Sequence, residues 1–169
     1  YTFKTFPAEI KGGYAMYQVR ASTVQLYNQG DTFDVLCVLN GEAYDLNLAR
    51  LKPGTALVYD SPGDFEPDVP QGVYAYPIPM TQTARELNNP RAKNMVALGA
   101  LSLLFNVPEA ALREVIATKF ARRGEAVVQG NLNVARQVSE QIDLYVRGSV
   151  KILKAVAADL QQTGLEPWQ

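Results

Sequence analysis

Apolar positions change their spacing about halfway along this chain, from short runs and alternations to a helical period. Tyr14 to Ala21 is rich in aromatic and branched residues, which suit a pleated surface, and it follows the Gly12-Gly13 pair. It predicts a strand opened by a turn. Phe33 to Leu39 is a nearly unbroken apolar run between Asp31 and Asn40-Gly41, the pattern of a strand buried on both faces of a covered parallel sheet. Leu46, Ala49 and Arg50 at helical spacing predict a helix over 43–51, stopped by Lys52-Pro53-Gly54. Thr55 to Tyr59 predicts a second buried strand. The stretch from Asp60 to Gln71 carries three prolines and four acids and predicts a solvated loop. Val73 to Ile78 resumes as a strand near a sheet edge, because Pro77 has no N–H to give to a ladder.

The second half reads as helices. Thr81 is the expected N-cap of a short helix over 81–87. A second, over 92–105, is apolar on most faces and should be largely buried. Pro108 suits the first turn of a third helix behind Asn106 as a cap, with Leu112, Val115, Ile116 and Phe120 on one stripe. A fourth helix places Leu132, Ala135, Val138, Ile142 and Tyr145 together. Gly148 interrupts it, and Val150, Leu153, Ala157 and Leu160 then form a narrower seam that needs a partner. The expected fold is α/β, three layers with a sheet between helices on both faces and a helical C-terminal half.

Composition narrows the chemistry. At 169 residues, 47% hydrophobic and 20% charged, the chain suits one globular domain. Sixteen basic and 17 acidic residues leave a net charge of -1, so no broad positive field exists for nucleic acid or an anionic membrane. With no histidine and one cysteine, internal disulfides, cysteine-only metal sites, Ser-His-Asp and Cys-His catalysis and Zn-imidazole chemistry are excluded. Carboxylate, lysine or tyrosine catalysis remains, or none. The longest uncharged apolar stretch, over 94–107, is shorter than the roughly 20 residues a bilayer requires. Tyr1-Thr2-Phe3-Lys4 lacks the order of a signal peptide, so a soluble cytoplasmic protein is expected. The chain has no initiator methionine and opens inside a strand, as a processed piece or fragment would.

Candidate chemistry is sparse. Neither G-x-G-x-x-G nor G-x-x-x-x-G-K-[ST] occurs. Gly12-Gly13 reads either as a plain turn or as a place where backbone approaches a ligand, with Lys11 and Arg20 near enough in sequence to meet an anion. Glu9 and Lys11 share a face if extended, and as a surface pair would contribute less than about 1 kcal/mol. Asn40 stands after the buried strand, either as a helix N-cap or as a ligand-side residue at the carboxyl end of a sheet. Cys37 reads as a small core residue. Lys119, Arg122 and Arg123 could touch an anion or simply favour a helix C-terminus. Asp60, Asp64, Glu66 and Asp68 match no EF-hand spacing and read as solvated. Residue chemistry alone describes an α/β domain that binds something.

Two stretches together go further. Phe6-Pro7-Ala8-Glu9-Ile10-Lys11-Gly12-Gly13, followed by Met16 to Arg20, resembles the "PaEiRGG…vRis" segment of the gamma domain of 2-oxoacid:ferredoxin oxidoreductases. Asn94 to Leu101, the Val107-Pro108-Glu109 turn and Gly130-Asn131 look like that domain's C-terminal helical signature. The resemblance covers most of residues 1–140, with order and approximate spacing kept. It is closest in look to the 2-oxoglutarate and related branched 2-oxoacid enzymes. Family members open with a Gly-rich G-x-G-G-Q-G loop after a first strand. That unit is not in this sequence, so the domain is expected to be N-terminally incomplete.

The resemblance implies a gamma domain over 1–147 and a helical linker or tail over 148–169. It implies oxidative decarboxylation of a 2-oxoacid with coenzyme A and ferredoxin, performed by an assembly with alpha and beta subunits or domains. Thiamine diphosphate, Mg²⁺ and [4Fe-4S] clusters would sit in those partners, none in this chain. This chain would be a non-catalytic scaffold that borders the coenzyme A or substrate entrance. Pro7, Glu9, Lys11, Gly12, Gly13, Arg20 and Asn40 are its candidate interface or entrance residues. Two alternatives stand beside this: a subunit of an arylpyruvate (indolepyruvate-type) enzyme, and a free-standing nucleotide-binding module of flavodoxin-like build.

Overall fold

Strands form where the first half of the sequence alternates. In the computed structural model, which describes residues 2–5, 13–105 and 107–138, the chain divides after Ile78 into two compact units. In the first unit, β1 (Thr2–Thr5) and β2 (Met16–Val19) pair antiparallel, Thr2 opposite Val19 and Thr5 opposite Met16. A separate parallel sheet holds β3 (Val35–Val38), β4 (Ala56–Asp60) and β5 (Tyr74–Ile78) in that order, with Val35, Ala56 and Tyr74 in one row.

Burial follows position in that sheet. Central β4 is buried from Leu57 to Asp60, as expected of a strand covered on both faces. In β3, Leu36 and Val38 are buried but Val35 and Cys37 are only half-buried. The both-face burial expected of that run belongs to its neighbour β4, and among the described residues β3 has one strand beside it. Pro77 sits exposed in β5, which ends the sheet among the described residues. One face packs a core of Phe33, Leu36, Val38, Tyr44, Leu57 and Tyr59.

The helix expected over 43–51 is shorter and starts earlier. It is α1 (Gly41–Asp45), followed by a 3₁₀ turn at Leu48–Arg50. Asn40 accounts for the early start, since its side-chain oxygen accepts from the Ala43 N–H at 2.9 Å. Asn47 accounts for the early end. Its Nδ2 donates to the Ala43 carbonyl at 2.8 Å, the acceptor a continuing helix would use, while its own N–H turns to the Tyr44 carbonyl.

The segment from Asp60 to Gln71 is a packed strap where solvation was expected. Asp60 is 1% exposed because it ends the central strand beside Ile78. Phe65 turns inward between the rings of Tyr44 and Tyr59 and lies against Gly41, where a Cβ would come 3.4 Å from its own. Asp64, Glu66 and Asp68 remain exposed.

The second unit is helical. α2 (Met80–Glu86) begins one residue before the expected Thr81 cap, with Pro79 preceding it and no capping side chain. Fully buried Met80 fixes that start, and Thr81 lies inside the helix. α3 (Lys93–Leu104) buries Met95, Val96, Ala97, Gly99, Ala100 and Ser102, so it is covered on more than one face. α4 (Glu109–Phe120) follows with Pro108 in the cap position. Of its expected stripe only Ile116 is buried, Leu112 and Phe120 are half-buried, and Val115 is 62% exposed. After a 3₁₀ turn at Ala121–Arg123, helix α5 is described over 125–138. It buries Val128, Asn131, Val134, Ala135 and Val138, so Ala135 and Val138 of the expected stripe are covered and Leu132 is half-buried. A Cβ on Gly99 would stand 2.6 Å from the Ala135 carbonyl oxygen and 3.2 Å from its Cα, so α3 and α5 cross backbone to backbone. Asn106, Ile142, Tyr145, Gly148 and the seam from Val150 to Leu160 lie outside the described residues. Among the described residues no helix is long and apolar enough to cross a membrane.

Candidate functional site

Thr5 and Met16 are the last pair of the β1–β2 ribbon, so residues 6–15 connect its strands. Pro7, Glu9, Lys11 and Gly12 belong to that connection and lie outside the described residues. Gly13, at its end, has φ of 85°, a left-handed conformation that favours glycine. Just beyond, the ribbon is tied down by polar contacts. The Tyr14 hydroxyl accepts from Asn47 Nδ2 at 2.8 Å. Met16 packs against the core. Buried Gln18 donates through Nε2 to the Gln29 carbonyl, and its Oε1 accepts from Arg50 Nη2 at 3.1 Å.

Arg50 is the centre of this anchoring. It also donates to the carbonyls of Asp31 and Gly30, each at 3.1 Å, and its guanidinium lies 3.9 Å over the Phe33 ring. Sequence reasoning saw Arg50 only as a helix residue. Its partners come from two other places in the chain, Gln18 and the stretch from Gly30 to Phe33, and no local spacing signals them.

Arg20 and Asn40 have distinct surroundings. Arg20 Nη1 donates to the Asn28 side-chain oxygen and, at 3.3 Å, to its carbonyl. The guanidinium also flanks Gly30, so Arg20 closes the loop after β2. Asn40 serves α1 as its cap. Lys119, Arg122 and Arg123 are exposed at the end of α4, with Arg123 5.6 Å from the Phe120 ring centre.

The carboxyl end of the parallel sheet is closed by the strap. Tyr59 donates its hydroxyl to Glu66 at 3.1 Å, and Tyr44 donates to the Asp68 carbonyl. Burial raises the pKa of both phenols, and nearby carboxylates raise them further, Asp68 and Asp45 for Tyr44 and Glu66 for Tyr59. Both therefore remain protonated hydrogen-bond donors. Burial pushes the Cys37 thiol up to about 12, which removes it as a nucleophile at neutral pH. Among the described residues no group of three or more histidine, cysteine, aspartate or glutamate side chains could hold a metal ion. An iron–sulfur cluster needs several thiolates, and one half-buried, protonated thiol does not fit that donor set. The geometry holds the β1–β2 ribbon and the strap in place.

Residues 1–141 match the family model for pyruvate ferredoxin/flavodoxin oxidoreductase. The chain belongs to that family. It is similar to the solved structure of 2-oxoglutarate:ferredoxin oxidoreductase from Magnetococcus marinus with 2-oxoglutarate, coenzyme A and succinyl-CoA bound. Identity is 62% and the TM-score 0.75, over 83% of this chain and 26% of that one. This chain thus spans about a quarter of that relative's length. The gamma subunit of a keto/oxoacid ferredoxin oxidoreductase from Geobacter sulfurreducens shares the fold, at 23% identity and a TM-score of 0.59, over 83% of this chain and 78% of that one. A search of curated proteins gave no significant match. The family resemblance read from the sequence is correct, and so is the mixed α/β fold with a parallel sheet and helical C-terminal half.

Proposed function

We propose that this chain is the gamma domain of a thiamine diphosphate-dependent 2-oxoacid:ferredoxin oxidoreductase of the 2-oxoglutarate type. The observation that carries this is the 62% identity to the Magnetococcus marinus enzyme over 83% of the chain. The assembly would convert a 2-oxoacid and coenzyme A to acyl-coenzyme A and carbon dioxide, passing the electrons to ferredoxin. Thiamine diphosphate, held with Mg²⁺ outside this chain, supplies the carbanion stabilisation such decarboxylation needs. The [4Fe-4S] clusters also belong to partners, the alpha and beta subunits or domains, in keeping with the lone thiol of this chain.

This chain contributes structure to that reaction. Arg50, Gln18 and Asn47 clamp the ribbon, and Pro7, Glu9, Lys11, Gly12 and Gly13 of its connection would border the coenzyme A or substrate entrance. Lys11 would supply positive charge there, and Gly12 and Gly13 would let backbone come close. Arg20 and Asn40 act beside it by holding the loop after β2 and the start of α1. Residues 1–147 form the domain and 148–169 its linker toward the alpha domain, in a cytoplasmic enzyme.

The test is to purify the natural assembly through this chain, weigh it by native mass spectrometry, and assay thiamine, iron, sulfide and turnover of several 2-oxoacids. Cofactor-loaded companions and preference for 2-oxoglutarate are the expected result. A lone, cofactor-free species would overturn the proposal, and preference for arylpyruvates would move the chain to the indolepyruvate-type branch.

A further inference from the structure

The β1–β2 ribbon has two unequal faces. Met16 and Gln18 point one way and are consumed by the core and by Arg50. Tyr17 and Val19 point the other way, with Lys4 and Thr2 directly across from them. These two apolar side chains are 58% and 64% exposed, and the Lys4 ammonium lies 5.2 Å over the Tyr17 ring. The loop after β2 adds Val24 at 70% and Tyr27 at 81% exposed. A two-stranded ribbon is marginal in water on its own, so one open face of large side chains is a liability unless something covers it.

We propose that this outer face, centred on Tyr17 and Val19, docks against a companion domain of the same oxidoreductase through an apolar patch rimmed by carboxylates. The inference rests on the assembly reading above and specifies the surface it uses. Charge identifies the occupant. Neither β1 nor residues 13–30 contain any Asp or Glu, whereas Lys4 stands on this face across from Tyr17, so the complementary surface is apolar with an acidic rim. Exposed Val115 on α4 lacks this character, because Glu109, Arg113, Glu114 and Lys119 surround it with both signs. Exposed tyrosines suit interface anchors, which bury large rigid surface at low entropic cost. The 62% identical relative has nearly three quarters of its chain beyond the matched part, ample surface for such a patch.

Hydroxyl-radical oxidation of the natural assembly, read by mass spectrometry, tests this. With companions present, Tyr17 and Tyr27 should oxidise more slowly than Tyr74, although in the chain itself Tyr74 at 36% exposed is the most sheltered of the three. Tyr17→Glu and Val19→Glu should raise Tyr27 oxidation about tenfold while leaving the circular dichroism unchanged, since introducing a charge into a covered apolar interface opens it. Val115→Glu should change nothing. Rapid oxidation of Tyr17 and Tyr27 in an assembly that does contain companions would overturn the docking face and leave the domain reading standing. Protection in particles made only of this chain would assign the face to a second copy and overturn it as well. A lone chain without companions would overturn both.

Discussion

Gly99 and Gly13 are single residues where one added methyl group decides a great deal. At Gly99 the new Cβ meets the Ala135 backbone, which cannot rotate away. Gly99→Ala should cost about 1–3 kcal/mol by forcing α3 and α5 apart, visible as a lower midpoint in urea. Gly13→Val places a β-branched residue at φ of 85° and should lower both the melting temperature and the yield of assembly. Cys37 acts through pH. Its folded value of about 12 stands above the ordinary 9.0, so the folded protein holds a proton that the unfolded chain releases. That contribution is complete below pH 9 and is lost as pH rises from 9 toward 12. Tyr44, Tyr59 and Tyr76, all raised by burial, act in the same direction above 10.0. Cys37→Val should therefore flatten the alkaline fall in melting temperature between pH 9 and 11, relative to the unmodified chain. At this scale the turn conformation of Gly13 and the Asn40 cap were legible because their causes lie within three residues. Arg50 was not, since its worth comes from Gln18, Gly30, Asp31 and Phe33.

Elements were legible where local pattern and tertiary burial agree. Central β4 satisfied both, whereas β3 shows the pattern but is buried on alternate residues only. α1 did not, because Asn47 captures the Ala43 carbonyl and ends the helix where apolar spacing continues. α4 shows the opposite failure, a good stripe with little packed against it. Ile116→Ala should cost about 2–5 kcal/mol, whereas Val115→Ala should change stability by less than about 0.5 kcal/mol. Chemical denaturation of the two variants separates these outcomes, and equal losses would mean that α4 is covered along its whole stripe. Solvation of the strap from Asp60 to Gln71 holds for Asp64, Glu66 and Asp68 but not for its apolar residues, which the prolines and acids outnumber in its composition. Phe65, Pro67 and Val69 are what pack it down.

For the molecule as a whole, family membership was legible and chemistry was not, and both follow from the same cause. The motifs that carry family membership, Phe6 to Gly13 and Asn94 to Leu101, consist mostly of glycine and apolar residues, which set backbone and packing and name no reaction. Removing residues 149–169 should weaken assembly more than it lowers the domain's melting temperature. Equal losses would sink the linker assignment. The order of the parallel sheet carries a further consequence. Its neighbours are consecutive strands, with Val35 beside Ala56 and Ala56 beside Tyr74, so each pairing closes a loop of about twenty residues. Short closures form quickly, and chains leave the ribosome at roughly 5–20 residues per second. The three strands can therefore pair while α3 and α5 are still being synthesised, since neither closure needs a residue of the second unit.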